Sequence, residues 1–421
     1  MSQNSNSPKK NIVILGGSYA GVSTAHYLLR HAIPHLLADE GYQVVLVSSS
    51  SHVMCRPACP RALISDDMFP LDKLFVDIAT AFQQYPADRF HFICGTATAL
   101  DHVNRAVSVS VAEGKVIEQL AFDALVIATG ASTPSPLLGL NGSYEGLRQS
   151  WEDFRKALPN AKTVVIAGGG PAGVETAGEL GEYLNGRAGI FHSKLEKRKV
   201  AITLVTAGSK ILPALRPALA QKAEGYLAQI GVTVMKNTRV GSVSPGEAGF
   251  ENVGMSATIN LSNGQTLNAD LYIPATGTRP NTSFIDSTLL TSDGRVETNP
   301  STLRVDKAGP RIYAIGDVSS YARPAVHNIL GAVPVLCANI KRELLRASGK
   351  TDVAVKDDRV FKEDRRETQM VPIGKSKGVG AAMGWRLPGF LVWLIKGRDY
   401  WLWTTVKVWS GEQWVKKKTD A

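Results

Sequence analysis

NIVILGGSYAGVSTAHYL at residues 11–28 returns as TVVIAGGGPAGVETAGEL at residues 163–180, with ten of eighteen positions identical at an offset of 152. Each copy is an apolar run, a glycine-rich turn and a helix-forming stretch, the order of a buried strand, a tight turn and a helix. A second echo follows, FDALVIATG at 122–130 and ADLYIPATG at 269–277, at an offset of 147. A repeat this long is read before anything else, and two copies of one dinucleotide-binding α/β unit account for it.

In the first copy the strand delivers the chain to Gly16, where a side chain would block the turn. Gly21 lets the helix pack closely on the strand, and the free N–H groups of the helix N-terminus face a pyrophosphate. Two residues depart from the usual pattern. Ser18 replaces the middle glycine, and Ser48 stands where an acidic residue would hold a ribose. The second copy has Gly168, Gly170 and Gly173 in register after TVVIA. RIYAIGDVSS at 311–320 adds a strand running into Gly316-Asp317, with a helix from about Ala325. An Asp there can accept from a flavin ribityl hydroxyl; alone it would be read as a cap of the next helix. Two nucleotide sites in one chain imply transfer of electrons from a nicotinamide to a tightly held flavin.

Composition bounds the rest. A chain of 421 residues predicts two or three domains. Four cysteines do not make a disulfide scaffold, so a reducing, cytoplasmic setting is expected. No apolar run reaches the ~18 residues of a membrane span, and MSQNSNSPKK, read as a disordered N-terminus, has no signal-peptide core. The net charge is +10, and residues 375–421 hold nine Lys/Arg against three Asp/Glu together with six of the seven tryptophans. That composition suits a membrane interface, so peripheral contact with a mitochondrial outer face or other lipid surface is a reading of the tail, as is a slot for an apolar ring. The plain alternative is a small domain packing its own aromatics. No nucleic-acid module accompanies it.

GGSYAG, ATG, GGGPAGVE, ATG and YAIGD, in this order and spacing, resemble the two-dinucleotide-binding-domain flavoproteins. Among these the chain is most similar to the AMID-like branch, the apoptosis-inducing-factor-2 or ferroptosis-suppressor type, near type II NADH dehydrogenases. The likeness runs from about Asn11 to Trp409 and includes KGVGAAMGWRLPGFLVWLIKGRDYWL in the tail. It implies an α/β fold of two Rossmann-like domains, the second inserted in the first, plus a small aromatic-rich C-terminal domain. FAD would lie on 11–131 and 272–345, NADH or NADPH on 132–271, with a charged linker at 346–370 and an acceptor- or membrane-facing domain at 371–421. FAD contacts implied are Gly16, Gly17, Ser18, Tyr19, Ala20 and Gly21, Arg61 at the end of SHVMCRPACPRALI, the Ala97 backbone, Thr129 with Gly130, and Asp317. NAD(P)H would lie over Gly168, Gly170 and Gly173. The implied electron acceptor is a quinone or similar apolar molecule, the partner expected here; oligomeric state is not indicated. No metal site is expected.

Glu175, just past Gly173, matches a family glutamate that reaches toward the reactive edge of the flavin; otherwise it complements the helix dipole. Glu179, one turn on, is the weaker candidate. Lys396 matches a lysine of the branch that faces the flavin, and is otherwise a snorkelling tail lysine. Proton delivery by such a Glu–Lys pair would serve quinone reduction. Thr206 stands where an acid would bind the NADH ribose, and Lys210 is either a partner for a 2′-phosphate or a solvated loop residue. Cys55 and Cys59 follow the second strand, where disulfide-reducing relatives carry redox cysteines, but their C-x3-C spacing departs from that pattern and buried inert thiols are the alternative. A Cys55-dependent reductase, an oxidoreductase tailoring a specialised metabolite, and a slow redox-gated signalling protein are the competing functions.

Overall fold

The structure is a computed structural model that describes residues 9–36, 41–111, 117–189, 191–349 and 357–416. The N-terminal residues 1–8 and the last lysines of the chain, 417 and 418, lie outside the described residues.

The run KNIVIL forms the strand Lys10–Leu15, parallel to Tyr42–Ser48 on one side and Ala124–Ile127 on the other. Its apolar residues are continuous because both faces are covered. Ile12 and Ile14 pack with the helices Tyr19–His31 and Val326–Ala347, while Val13 and Leu15 face a separate cluster with Val107, Val109 and Ile312. The full sheet has seven strands, in the order 312–314, 124–127, 10–15, 42–48, 90–101, 106–111, 117–121. Thr163–Ala167 repeats the design: Val164 and Ile166 face one core, Val165 and Ala167 another. Its sheet is parallel, in the order 232–235, 201–205, 163–167, 271–274.

Leu271–Pro274 thus belongs to the second sheet, and the return to the first unit comes later than position 272. The outgoing Ala131–Ser132 and the returning Arg279–Pro280 pair antiparallel, so both crossings of the insertion run side by side. The charged segment read as a linker is packed where it is described. Arg304 pairs with Glu343 and Asp358, Arg323 with Glu363, and Phe361 is buried edge-on against Tyr321.

The tail straps both units. Val371, Ile373, Tyr400 and Leu402 join the core of the second unit, and Val408, Trp409 and Trp414 join that of the first. Two histidines of the Tyr19–His31 helix hold its end. His26 Nε2 lies 2.8 Å from the Trp409 carbonyl and His31 Nε2 2.7 Å from that of Trp414. A carbonyl only accepts, so Nε2 of His26 carries the proton and Nδ1 accepts from the Tyr85 hydroxyl at 2.9 Å. Gly411 is required at this approach: its φ is +74° and a Cβ there would stand 2.6 Å from His26 Nδ1.

Burial lowers the His26 pKa from 6.5 to about 4, with Arg30 adding to it against the opposing Trp409 carbonyl. The unfolded chain then binds the proton more tightly. His26 contributes its full stability above about pH 6.5 and loses it as pH falls toward 4, a loss on the order of 3 kcal/mol. We expect the unfolding free energies of wild type and His26→Gln, measured in urea, to converge by that amount between about pH 7 and pH 4. Glu175 titrates in both proteins and cancels from the difference. A difference independent of pH would overturn the assignment.

Candidate active site

The two glycine turns are superimposable in their constraints. A Cβ at Gly16 (φ +113°) would lie 2.2 Å from the Ala128 carbonyl oxygen, and one at Gly168 (φ +126°) 2.1 Å from that of Ala275. A Cβ at Gly21 would meet the Gly16 oxygen at 1.7 Å, and one at Gly173 the Gly168 oxygen at 1.9 Å. Neither following helix has a side-chain cap or an acidic residue in its first turn, so both N-termini are suited to an anion. Ser18 is accommodated for a simple reason: at Gly170, its counterpart, a Cβ would meet nothing within 4 Å.

Both turns open into one cavity of about 1440 Å³. Gly16, Gly17, Ser18, Tyr19 and Ala20 line it, as do Ala97, Thr129, Gly130 and Asp317 on the first unit and Gly168 and Gly170 on the second. Gly21 and Gly173 do not; they seat the helices on their strands. Thr129 is fixed by Asn281, which sequence reading missed. The Thr129 hydroxyl donates to the Asn281 carbonyl at 2.8 Å, and Asn281 Nδ2 returns a bond to the Thr129 carbonyl at 2.9 Å. A cavity with two such cradles and a half-buried Asp317 fits FAD on the first and a nicotinamide nucleotide on the second.

Arg61 is a correction. It does not line the cavity: the short helix Cys59–Ala62 turns Pro60 to the cavity and Arg61 away from it. Its guanidinium instead holds both Glu179 oxygens at 2.8 Å and the Arg398 carbonyl at 3.2 Å, and Glu179 also accepts from the Tyr400 hydroxyl at 2.9 Å. The arginine that this loop puts on the cavity wall is Arg56, 3.6 Å from Asp317 and bonded to the Ala131 carbonyl. Burial raises the Asp317 carboxyl above its usual range, and Arg56 opposes that.

Glu175 and Lys396 come together on the cavity wall, Nζ to Oε1 at 2.5 Å, both buried. Glu175 sits in the second turn of the Pro171–Asn185 helix, and Lys396 in a π-helical turn, Trp393–Gly397. Gly178 lets the tail strand Gln369–Ile373 lie on that helix, since a Cβ would meet Ile373 Cα at 2.9 Å. Lys396 also donates to the Met370 carbonyl and lies 4.9 Å over the Trp401 ring. Burial lifts the Glu175 pKa to about 7, against the pull of Lys396.

The cysteines are free thiols. Cys55 and Cys59 are buried and off the cavity wall, and burial pushes their pKa values to about 11 and about 12. A thiol so raised is not a nucleophile at neutral pH.

The sequence pattern of the pyridine nucleotide-disulphide oxidoreductases matches residues 10–334. The chain belongs to that family. It is 66% identical to Oxidoreductase phnG of Penicillium herquei, covering 97% of this chain and 98% of that protein. Oxidoreductase ptaL of Pestalotiopsis fici is 35% identical, covering 92% and 95%. Human Ferroptosis suppressor protein 1 is 25% identical, covering 94% and 95%, which relates the chain to the AMID-like branch. Among solved structures, the Aquifex aeolicus sulfide:quinone oxidoreductase has a TM-score of 0.70 at 17% identity, covering 96% of this chain and 92% of that one. NDH2 of Plasmodium falciparum has a TM-score of 0.64 at 15% identity, covering 98% and 100%. At such identities the two structures support the fold. Members of this pyridine nucleotide-disulphide oxidoreductase family use FAD and NAD(P)H, so this chain is an oxidoreductase of that kind. Among the described residues no helix is long and apolar enough to cross a membrane.

Proposed function

We propose that the protein passes electrons from NAD(P)H through FAD to a quinone or similarly apolar small acceptor. The buried Glu175–Lys396 pair carries this reading, because it brings a proton-exchanging carboxyl to the wall of the cavity into which both glycine turns open. FAD would be held by the Gly16–Ala20 turn, Arg56, Ala97, Thr129 and Asp317, and the nicotinamide nucleotide by the Gly168–Gly170 turn. When bound, FAD supplies acceptance of a hydride and release of two electrons.

The chain's own part is positioning and proton supply. Quinone reduction takes up two protons, and a carboxyl with a pKa of about 7 exchanges them near neutrality. Lys396 fixes the Glu175 oxygen and keeps a positive charge beside the acceptor's oxygens as negative charge develops there. Phe390, Trp393, Leu394 and Trp403, exposed around the Lys396 turn, give an apolar approach to it, and with the basic tail they suit contact with a lipid surface.

Anaerobic stopped-flow of the FAD-loaded protein tests this. NADH or NADPH is expected to bleach the flavin, a water-soluble ubiquinone to restore its colour, and Cys55→Ser to keep both phases within ~2-fold. Bleaching without restoration by the quinone would remove the acceptor assignment. Loss of restoration in Cys55→Ser, with a long-wavelength thiolate–flavin band in wild type, would replace it with thiol chemistry. No bleaching by either nucleotide would end the proposal.

A further inference from the structure

The corner of the cavity beyond the second glycine turn is built around Thr206, at the end of the strand Ala201–Val205. A carboxylate at this place would hold the 2′- and 3′-hydroxyls of an NADH ribose and repel a 2′-phosphate. The loop after Val232–Met235 folds back over it. Asn237, in the left-handed region at φ +54°, donates from its N–H to the Gly208 carbonyl at 3.0 Å, and Thr238 donates to the Thr206 carbonyl at 3.0 Å. This crossing sets Arg239 beside Thr206 on the same cavity wall, its backbone N–H held by the Ser262 hydroxyl at 2.9 Å. Its guanidinium is exposed and makes no ion pair or hydrogen bond among the described residues. Lys210 lines the same corner, its ammonium anchored by the Leu215 carbonyl.

The carboxylates that line the cavity among the described residues are paired, Glu175 with Lys396 and Asp317 with Arg56. Glu367, which feels the charge of Lys210, lies off the wall and is paired with Arg216, so the wall beside Thr206 presents Arg239 and Lys210. We infer that Arg239, with Lys210, binds the 2′-phosphate of NADPH and makes NADPH the preferred electron donor. The inference rests on the reading above that the second glycine turn holds the nicotinamide nucleotide. A guanidinium at a cavity rim offers two parallel N–H groups to a phosphate without first leaving another partner.

The test is calorimetric titration of the FAD-loaded full chain with NADP⁺ and with NAD⁺, where no turnover intervenes. NADP⁺ is expected to bind at least ~10-fold tighter, and that ratio to fall by ~10-fold or more in Arg239→Ala and to be partly restored in Arg239→Lys. Raising the salt concentration should weaken NADP⁺ more than NAD⁺. Equal affinities, a preference for NAD⁺, or a ratio unmoved by Arg239→Ala would overturn the inference while leaving the oxidoreductase reading intact. Binding of neither nucleotide, with no bleaching by NADH or NADPH, would overturn both.

Discussion

Lys396→Met is expected to lower the proposed quinone reduction by ~100-fold or more and to destabilise the protein by about 3–5 kcal/mol. Both effects come from one buried contact. Glu175 and Lys396 are 3% and 5% exposed, and removing the ammonium leaves a carboxyl in an apolar wall. Burial already raises that carboxyl from 4.5 to about 7, and Lys396 is the largest influence holding it down. Without Lys396 its pKa rises further and it keeps its proton. A carboxyl whose folded pKa exceeds the unfolded value favours folding below the unfolded pKa and loses that contribution as pH rises through the folded one. The defect of Lys396→Met should therefore be greater at about pH 9 than at about pH 6. Glu175→Gln should slow the same step and remove the ionisation near pH 7 from the rate profile. Urea melts of the two single variants and the double variant give the coupling. A double variant as unstable as the sum of the singles would show that the two groups do not form a stabilising pair.

Arg61→Ala is the second large effect, about 3–5 kcal/mol of lost stability, because Glu179 would remain buried with only the Tyr400 hydroxyl as partner. Replacing Arg61 and Glu179 together by Met should recover much of it, since the cost lies in the unpaired charge. Arg56→Ala should do the reverse. Its side chain is 32% exposed and its ion pair with Asp317 is loose, so stability changes little. FAD retention, measured by equilibrium dialysis, should fall by ~10-fold or more through loss of a cation on the flavin wall. If Arg61→Ala melts normally but sheds FAD, the exchange of roles between the two arginines is wrong.

The order of strand, glycine turn, helix and returning strand was legible because each feature is local. A turn that admits no Cβ must be glycine at Gly16 and Gly168, and a strand covered on both faces must read as an unbroken apolar run. Glu175 and Lys396 were also named from the residues and the resemblance they carry, but their contact spans 221 positions. It exists because Gly178 lets the tail strand lie flat on the Pro171–Asn185 helix.

Where a motif left a choice of side, the choice was made by packing. SHVMCRPACPRALI contains two arginines, and nothing in their spacing says that the turn Arg56–Ala58 brings Arg56 to the cavity while the helix Cys59–Ala62 turns Arg61 away. The tryptophan-rich tail was visible as a composition, yet its division into buried Trp409 and Trp414 and exposed Trp385 and Trp403 depends on two histidines of the first helix. Arg239 carried no signal, since its place beside Thr206 is set by a loop folding back from another strand. Sequence alone determined this protein's family, its two glycine turns and its repeat, because steric limits at a turn and periodic burial along a strand act between neighbours in the chain. Tertiary structure alone decided which charges meet and which face the cavity, because a buried charge is satisfied by whatever partner the packing of distant segments brings within reach.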